Sequence, residues 1–156
     1  MPSQFKILPF EPWHCAGDFL PVEIYDQARW RENLIWSYHH GPTYTGFYDK
    51  FVVGFGGVRK YWKGVGEGWV MLNQKSPSGI SKTRLILNIV KGIRKTIKDE
   101  IFNMDYWRVH AYCHHLTPKA ANFIEALGFL FEGNLRRFNP DGSDCLSFSM
   151  VKELKL

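Results

Sequence analysis

The side chains best suited to proton transfer lie in two short stretches of the sequence. Glu67 comes just before the apolar run 69–73, and its carboxylate could take a proton through a water molecule. His110, Tyr112 and His114 alternate along a second run, so a strand there presents them on one face. Because imidazole titrates close to neutral pH, His114 is a candidate catalytic base. Glu67 is the other candidate. The alternative for Glu67 is a solvated carboxylate in a turn. The alternative for the histidines is a structural role as hydrogen-bonded strand residues.

The same region contains the cluster His110-x-x-Cys113-His114-His115, which has the residue types of a metal site. Strand alternation puts Cys113 on the opposite face from His110 and His114, so three ligands do not converge easily. We therefore predict no metal. Cys113 is also a weak candidate for a nucleophile, because no Asp or Asn partner lies near it in sequence.

A third stretch, residues 74–82, is a loop rich in Ser and Gly that leads into a long helix. The first turn of a helix presents unpaired N–H groups and the positive end of the dipole, which together bind phosphate. The loop residues that could hold a phosphate are Ser78, Gly79, Ser81 and Lys82. Ordinary helix capping by the serines is the alternative.

Apolar periodicity and turn residues predict the elements that position these groups. A helix is predicted at 81–102, with Ile86, Ile89 and Ile93 on its apolar side. The glycine-rich stretch 63–68 is predicted to be a flexible turn. Thr117 and Pro118 predict an N-cap and first helical residue. The other predicted elements are strands at 4–10, 43–48, 51–59, 69–73, 107–113, 129–137 and 145–151 and helices at 22–39 and 117–127. This order predicts an α/β (α+β) fold with a mixed sheet and one βαβ crossover.

Size and composition limit the class of protein. The chain has 156 residues, of which 45% are hydrophobic, and we expect one domain over residues 1–156. Its net charge of +5 favours an anionic partner. The three cysteines form no CxxC pair, and we find no signal peptide or apolar run long enough to span a membrane. We therefore expect a soluble, cytoplasmic protein.

Residues 107–129 end in the step Leu127-Gly128-Phe129 and lead into a predicted hairpin. This stretch resembles the last third of the GNAT (acyl-CoA N-acyltransferase) superfamily, and the order of elements agrees from about residue 43 onward. The resemblance implies a GNAT-like fold, with a mixed and mostly antiparallel sheet flanked by helices. It also implies that acetyl-CoA or CoA is the cosubstrate.

The resemblance extends to the loop 74–82. In the family this loop has Arg or Gln, any two residues, Gly, any one residue, and then Gly or Ala. Gly79 and the small residue Ser81 agree with the second half of this pattern, whereas Ser76 stands in place of the Arg or Gln. Lys75, Lys82 or Arg84 could supply the missing cation. The cofactor-binding residues implied are Met71, Asn73, Ser78, Gly79, Ser81, Lys82 and Thr117.

The usual catalytic residues of the family are absent. Ile124 stands at the position of the acidic Tyr, and Tyr112 stands where some relatives have a Glu base. If active, the chain transfers an acetyl group to an amine of a small molecule, a protein N-terminus or a lysine. A second hypothesis is a degenerate binding or structural protein, phage-encoded or virion-associated, and a homodimer is left open. A third is a nucleic-acid binder that uses the basic helix residues Arg84, Lys91, Arg94, Lys95 and Lys98, although a solvated helix face explains them as well.

Overall fold

The computed structural model describes residues 4–21 and 29–154, and these residues form one seven-stranded sheet with three α-helices. The predicted mixed α/β architecture is confirmed. The strands are β1 (Phe5–Pro9), β2 (Thr43–Tyr48), β3 (Phe51–Trp62), β4 (Val65–Leu72), β5 (Arg108–His114), β6 (Leu130–Leu135) and β7 (Cys145–Val151). The helices are α1 (Trp30–His39), α2 (Lys82–Asp99) and α3 (Pro118–Ala126). Among the described residues no helix has the length and apolarity to cross a membrane.

The sheet has the strand order β1-β2-β3-β4-β5-β7-β6. Its neighbours are antiparallel except for β4 and β5, which run parallel and are joined through α2. A parallel pair requires such a crossover, and the amphipathic helix α2 provides it.

The two faces of the sheet are covered differently. One face, called here the α2/α3 face, buries Val109 with Ile97 of α2 and Ile124 of α3. The other, the α1 face, packs Phe55 against Leu34 of α1. The described core cluster on the α1 face contains no residue of β5, β6 or β7. Within the described residues of this cluster, α1 thus packs with β3 and β4.

The helices can be compared with the sequence prediction residue by residue. The predicted helix 22–39 is seen from Trp30 onward, while residues 22–28 lie outside the described part of the chain. The predicted helix 81–102 ends at Asp99 and is followed by a separate 3-10 turn, Ile101–Asn103. The assignment of Ile86 to the apolar side is wrong, because Ile86 is 48% exposed and Leu85 is 7% exposed. Leu85 lies about 40° from Ile89 around the helix axis, whereas Ile86 lies about 60° away on the other side.

The prediction of a flexible turn at 63–68 holds for Lys63 and Gly64 but is wrong for residues 65–68. Val65 already begins β4, and Gly66 packs closely against the neighbouring strand β3. A Cβ at Gly66 would come within 2.4 Å of a Val58 methyl and 2.8 Å of the Arg59 carbonyl oxygen. These glycines allow close packing of strands, and Glu67 consequently lies inside β4 instead of in a turn.

Gly57 provides a test of this packing. A Cβ there would lie 2.2 Å from the backbone oxygen of Pro42, which cannot move without disrupting β2. We expect Gly57→Ala to lower the free energy of unfolding in urea by about 1–3 kcal/mol. The control is Gly133→Ala on β6, where a Cβ meets no other described residue within 4 Å. Equal stability of the two variants would contradict the prediction.

Candidate active site

The central feature of the site is the divergence of β4 from β5. The two strands are paired only at Val65↔Arg108, Gly66↔Val109 and Glu67↔His110. Beyond that point β4 runs on to Leu72 and β5 to His114 with no further pair between them. The gap between residues 68–72 and 111–114 is called the cleft below.

Backbone groups line the cleft on both sides. The Asn73 N–H donates to the Val53 carbonyl over 2.8 Å, so the odd-numbered residues of β4 bond to β3. The peptide groups of Val70 and Leu72 therefore point toward β5, where no strand partner exists. The odd-numbered residues of β5 bond to β7 in the same way, so the peptide group of Tyr112 points into the cleft. Such groups can pair with an extended ligand or stabilise an oxyanion.

The start of α2 is open and positively charged. Ser81 caps the helix, since its Oγ accepts a hydrogen bond from the Arg84 N–H at 3.3 Å. The first turn contains Lys82 and Arg84 and no acidic residue, and residues 81–84 are all exposed. An anion at this terminus would satisfy the dipole and both cations.

The loop before α2 is held by its own side chains. The Asn73 amide donates to the Val52 carbonyl at 3.0 Å and accepts from the Lys75 N–H at 3.0 Å. Lys75 also forms a short ion pair with Asp18. Ser78 is exposed, and Gly79 has φ +83° with no other described residue within 4 Å of a Cβ position. Of the two loop lysines, Lys75 is thus engaged by a carboxylate while Lys82 is exposed.

Met71 belongs to the other side of β4. Its side chain packs with the α1 core cluster, and its peptide group faces β3 by the alternation described above. Neither its side chain nor its peptide group therefore faces the cleft. The cleft-facing peptide groups on this part of β4 belong to Val70 and Leu72.

Glu67 lies at the last paired position before the cleft, on the α1 face. The Tyr61 hydroxyl donates to Glu67 Oε2 at 3.0 Å, and Arg59 Nη1 lies 3.9 Å from Oε1. Arg59 is itself positioned by α1, because its Nε donates to Ser37 Oγ at 2.9 Å. The carboxylate is thus held in place by two β3 side chains.

His110 stands across from Glu67 on β5. Its Nε2 accepts a 3.4 Å hydrogen bond from Arg108 Nε, which assigns the ring proton to Nδ1. Burial lowers the pKa of His110, Arg108 lowers it further, and Glu132 and Glu67 oppose the shift. The ring is therefore neutral at pH 7. Its Nδ1 and the Trp69 Nε1 are buried without a hydrogen-bond partner in the described residues, which is uncommon for buried polar atoms.

The Tyr61 phenol carries its proton at neutral pH. Burial raises the pKa of its phenol, and the neighbouring Glu67 and Tyr112 raise it further. The hydroxyl is therefore a neutral donor that contacts the carboxylate at neutral pH. It lies at a different place from Ile124, which is buried in the α2/α3 core cluster.

The two predicted bases do not meet. His114 lies four residues beyond His110 on β5, at the far end of the cleft, where its Nδ1 accepts from the Leu116 N–H at 3.2 Å. Cys113 packs against the α2/α3 core cluster, on the opposite face. Within the described part of the chain no three His, Cys, Asp or Glu residues are grouped as metal ligands.

Thr117 is the N-cap residue of α3 as predicted, but its side chain makes no cap hydrogen bond. Its backbone carbonyl accepts from Ala120 and Ala121 instead. The side chain therefore has no capping role in α3.

Sequence reasoning missed Arg59 and Tyr61 as partners of Glu67. The β3–β4 register that pairs Arg59 with Glu67 was not predicted, because β4 was expected to begin at residue 69. A longer β4, with its glycines treated as strand residues, would have put Arg59 opposite Glu67.

Solved structures with this architecture cover nearly the whole chain. Ard1 from Thermoplasma volcanium superposes with a TM-score of 0.70 at 14% identity, over 96% of this chain and 99% of that one. A GNAT family acetyltransferase from Elizabethkingia anophelis, with acetyl-CoA bound, gives 0.66 at 12% identity over 95% and 98%. A spermidine N-acetyltransferase SpeG variant from Vibrio cholerae gives 0.61 at 14% identity over 95% and 94%.

Neither a protein-family model nor a curated protein matches the sequence. The likeness is thus one of architecture: a seven-stranded mixed sheet, one parallel pair that diverges, and a helix that crosses between its two strands. This chain has the fold of the GNAT acetyltransferases.

Proposed function

We propose that the protein is an N-acetyltransferase that uses acetyl-CoA and an amine acceptor. The observation that carries the proposal is the unpaired cleft between β4 and β5, together with the exposed, cationic start of α2. The residues fit the cosubstrate, because the cleft offers unpaired peptide groups to an extended arm. Ser78, Gly79, Ser81 and Lys82 offer an anion site for its pyrophosphate. Thr117 is proposed as a further contact, since its side chain is not used by α3.

The Glu67–Tyr61 pair can complete the proton balance of acetyl transfer. The amine nitrogen bonds to the thioester carbonyl carbon as its proton passes to Glu67, directly or through a water. The Val70 N–H is the proposed donor to the oxyanion. The C–S bond then breaks, the thiolate takes the Tyr61 proton, and Tyr61 regains one from Glu67 across their 3.0 Å bond. His114 lies too far along β5 from this pair to share the step, so its catalytic role remains a separate prediction.

Cosubstrate binding is tested by thermal unfolding with acetyl-CoA. Binding to the native state raises the melting temperature through a term RT ln(1 + [L]/Kd), and release of the free CoA thiol in the presence of an amine then reports turnover. No shift at millimolar acetyl-CoA would contradict the proposal.

Gly79→Val should abolish that shift, because a branched side chain would block approach of a phosphate to the loop backbone. The matched control is Gly142→Val in the β6–β7 turn, which has nearly the same conformation (φ +80° against +83°) and therefore similar backbone strain. We expect the control to keep the full shift. Equal shifts in the two variants would move the phosphate site away from residue 79.

A catalytically degenerate binding protein is the second candidate, and the buried Ile124 favours it. An acetyl-CoA shift without turnover on a panel of amines would support this alternative. A strongly salt-dependent shift with DNA would instead support nucleic-acid binding through α2.

A further inference from the structure

Helices α2 and α3 cover one face of the sheet at the point where β4 and β5 diverge. Val109, next to the last paired residues, is fully buried under them. Glu67 and His110 project from the α1 face, and α1 packs against the β3 and β4 side of that face. In the described part of the chain, the core cluster under α1 includes no residue of β5, β7 or β6, so the α1 face over these strands offers an acceptor a route to Glu67.

Four rings follow one another along this approach, and they are called the aromatic row. Tyr61 lies 5.9 Å from His110, His110 lies 6.0 Å from Tyr112, and Tyr112 lies 5.7 Å from Phe138, measured between ring centroids. The last two pairs are stacked, with interplanar angles of 10° and 26°. The row begins at the hydroxyl that contacts Glu67 and ends in the loop between β6 and β7.

The two ends of the row are open to solvent. Tyr61 is 42% exposed and Phe138 is 59% exposed. Exposed aromatic rings beside a positioned carboxylate are typical of the lining of a small-ligand site. The surface favours a ligand that is flat and apolar.

The two carboxylates beside Tyr61 and His110 are each paired with a guanidinium. Glu67 faces Arg59, and Glu132 forms a short ion pair with Arg108 and accepts from the Ser149 hydroxyl at 2.7 Å. Each of these carboxylates is thus already matched by a guanidinium. A polyamine, which needs several unmatched carboxylates, finds no such surplus beside Glu67. Asp141 and Asp144, in the loop that contains Phe138, are hydrogen-bonded to Ser143 and Asn134.

We propose that the acceptor is a monoamine with an aromatic ring a few bonds from its nitrogen. This inference rests on the proposed acetyltransferase activity and names the substrate class for that site. The ring lies along the aromatic row toward Phe138, and the amine reaches Glu67. A free arylalkylamine and a peptide with an aromatic first residue share this chemistry.

Steady-state kinetics with saturating acetyl-CoA test the inference. We expect kcat/KM for 2-phenylethylamine to exceed that for butylamine or spermidine by about tenfold or more. A tetrapeptide with N-terminal Phe, compared with one with N-terminal Gly, distinguishes the peptide source from the free amine. Preference for spermidine or butylamine would overturn the inference and leave the acetyltransferase activity intact. Absence of turnover with every amine would overturn both.

Phe138→Ala gives the residue-level test. We expect it to lower kcat/KM for 2-phenylethylamine about 3- to 10-fold and to leave that for butylamine unchanged. The control is Phe131→Ala, a similarly exposed ring that packs against Phe148 on the α2/α3 face. Equal losses for both amines in Phe138→Ala, or equal losses in the two variants, would overturn the role of the row.

Discussion

Glu67→Gln is expected to lower kcat for acetyl transfer by roughly 10²–10³-fold. Glutamine retains the shape of the side chain and an oxygen that can accept from the Tyr61 hydroxyl, but it cannot take a proton from the amine. The loss therefore measures proton transfer instead of a collapse of the local structure. The measurement is release of the CoA thiol at saturating acetyl-CoA and amine.

Two controls separate this chemistry from binding. The acetyl-CoA-induced rise in melting temperature should be the same in Glu67→Gln as in the parent protein, because the proposed cosubstrate contacts lie beyond Glu67. Glu125→Gln, an exposed residue of α3, should retain full kcat. A kcat for Glu67→Gln within about threefold of the parent would remove Glu67 as the base.

Leu127→Asp is expected to prevent folding. Leu127 is 7% exposed and packs with Ile124 and Phe129 in the cluster that joins α3 to the sheet. An unpaired carboxylate there costs several kcal/mol, in addition to the lost apolar contacts, against a typical total stability of about 5–15 kcal/mol. Circular dichroism should show loss of the cooperative thermal transition.

The matched control for that substitution lies just before the same helix. Leu116 is 73% exposed, so Leu116→Asp should change the melting temperature by no more than a few degrees. A cooperative transition in Leu127→Asp close to that of the control would contradict the assignment of Leu127 to the core.

Elements with local signals were predicted well. The strand Thr43–Tyr48 and the turn at Asp49 were located correctly, because turn residues and β-rich runs mark them directly. The strand Cys145–Val151 also has its predicted bounds. The start of β4 was missed, since glycines that permit close strand packing have the same sequence signature as glycines in a flexible turn.

The candidate site residues show the same difference between local signals and contacts between strands. Serine and glycine before a long helix predicted an open helix start, which follows from helix chemistry within a few residues. The Tyr61 partner of Glu67 could not be predicted, because Tyr61 lies at an irregular register of β3 between Lys60 and Trp62. This hydroxyl contacts the carboxylate at a point where regular strand pairing, and hence the spacing in sequence, does not apply.

The sequence by itself determined the order of the elements, the shared face of His110 and Tyr112, and the position of the helix start after residue 79. These properties depend on periodicity and on capping, which act over short distances along the chain. Only the tertiary structure decided where β4 parts from β5, and that Glu67, Tyr61 and His110 meet there. The physical reason is that pairing between strands joins residues more than forty positions apart, so its extent is set by packing across the whole sheet.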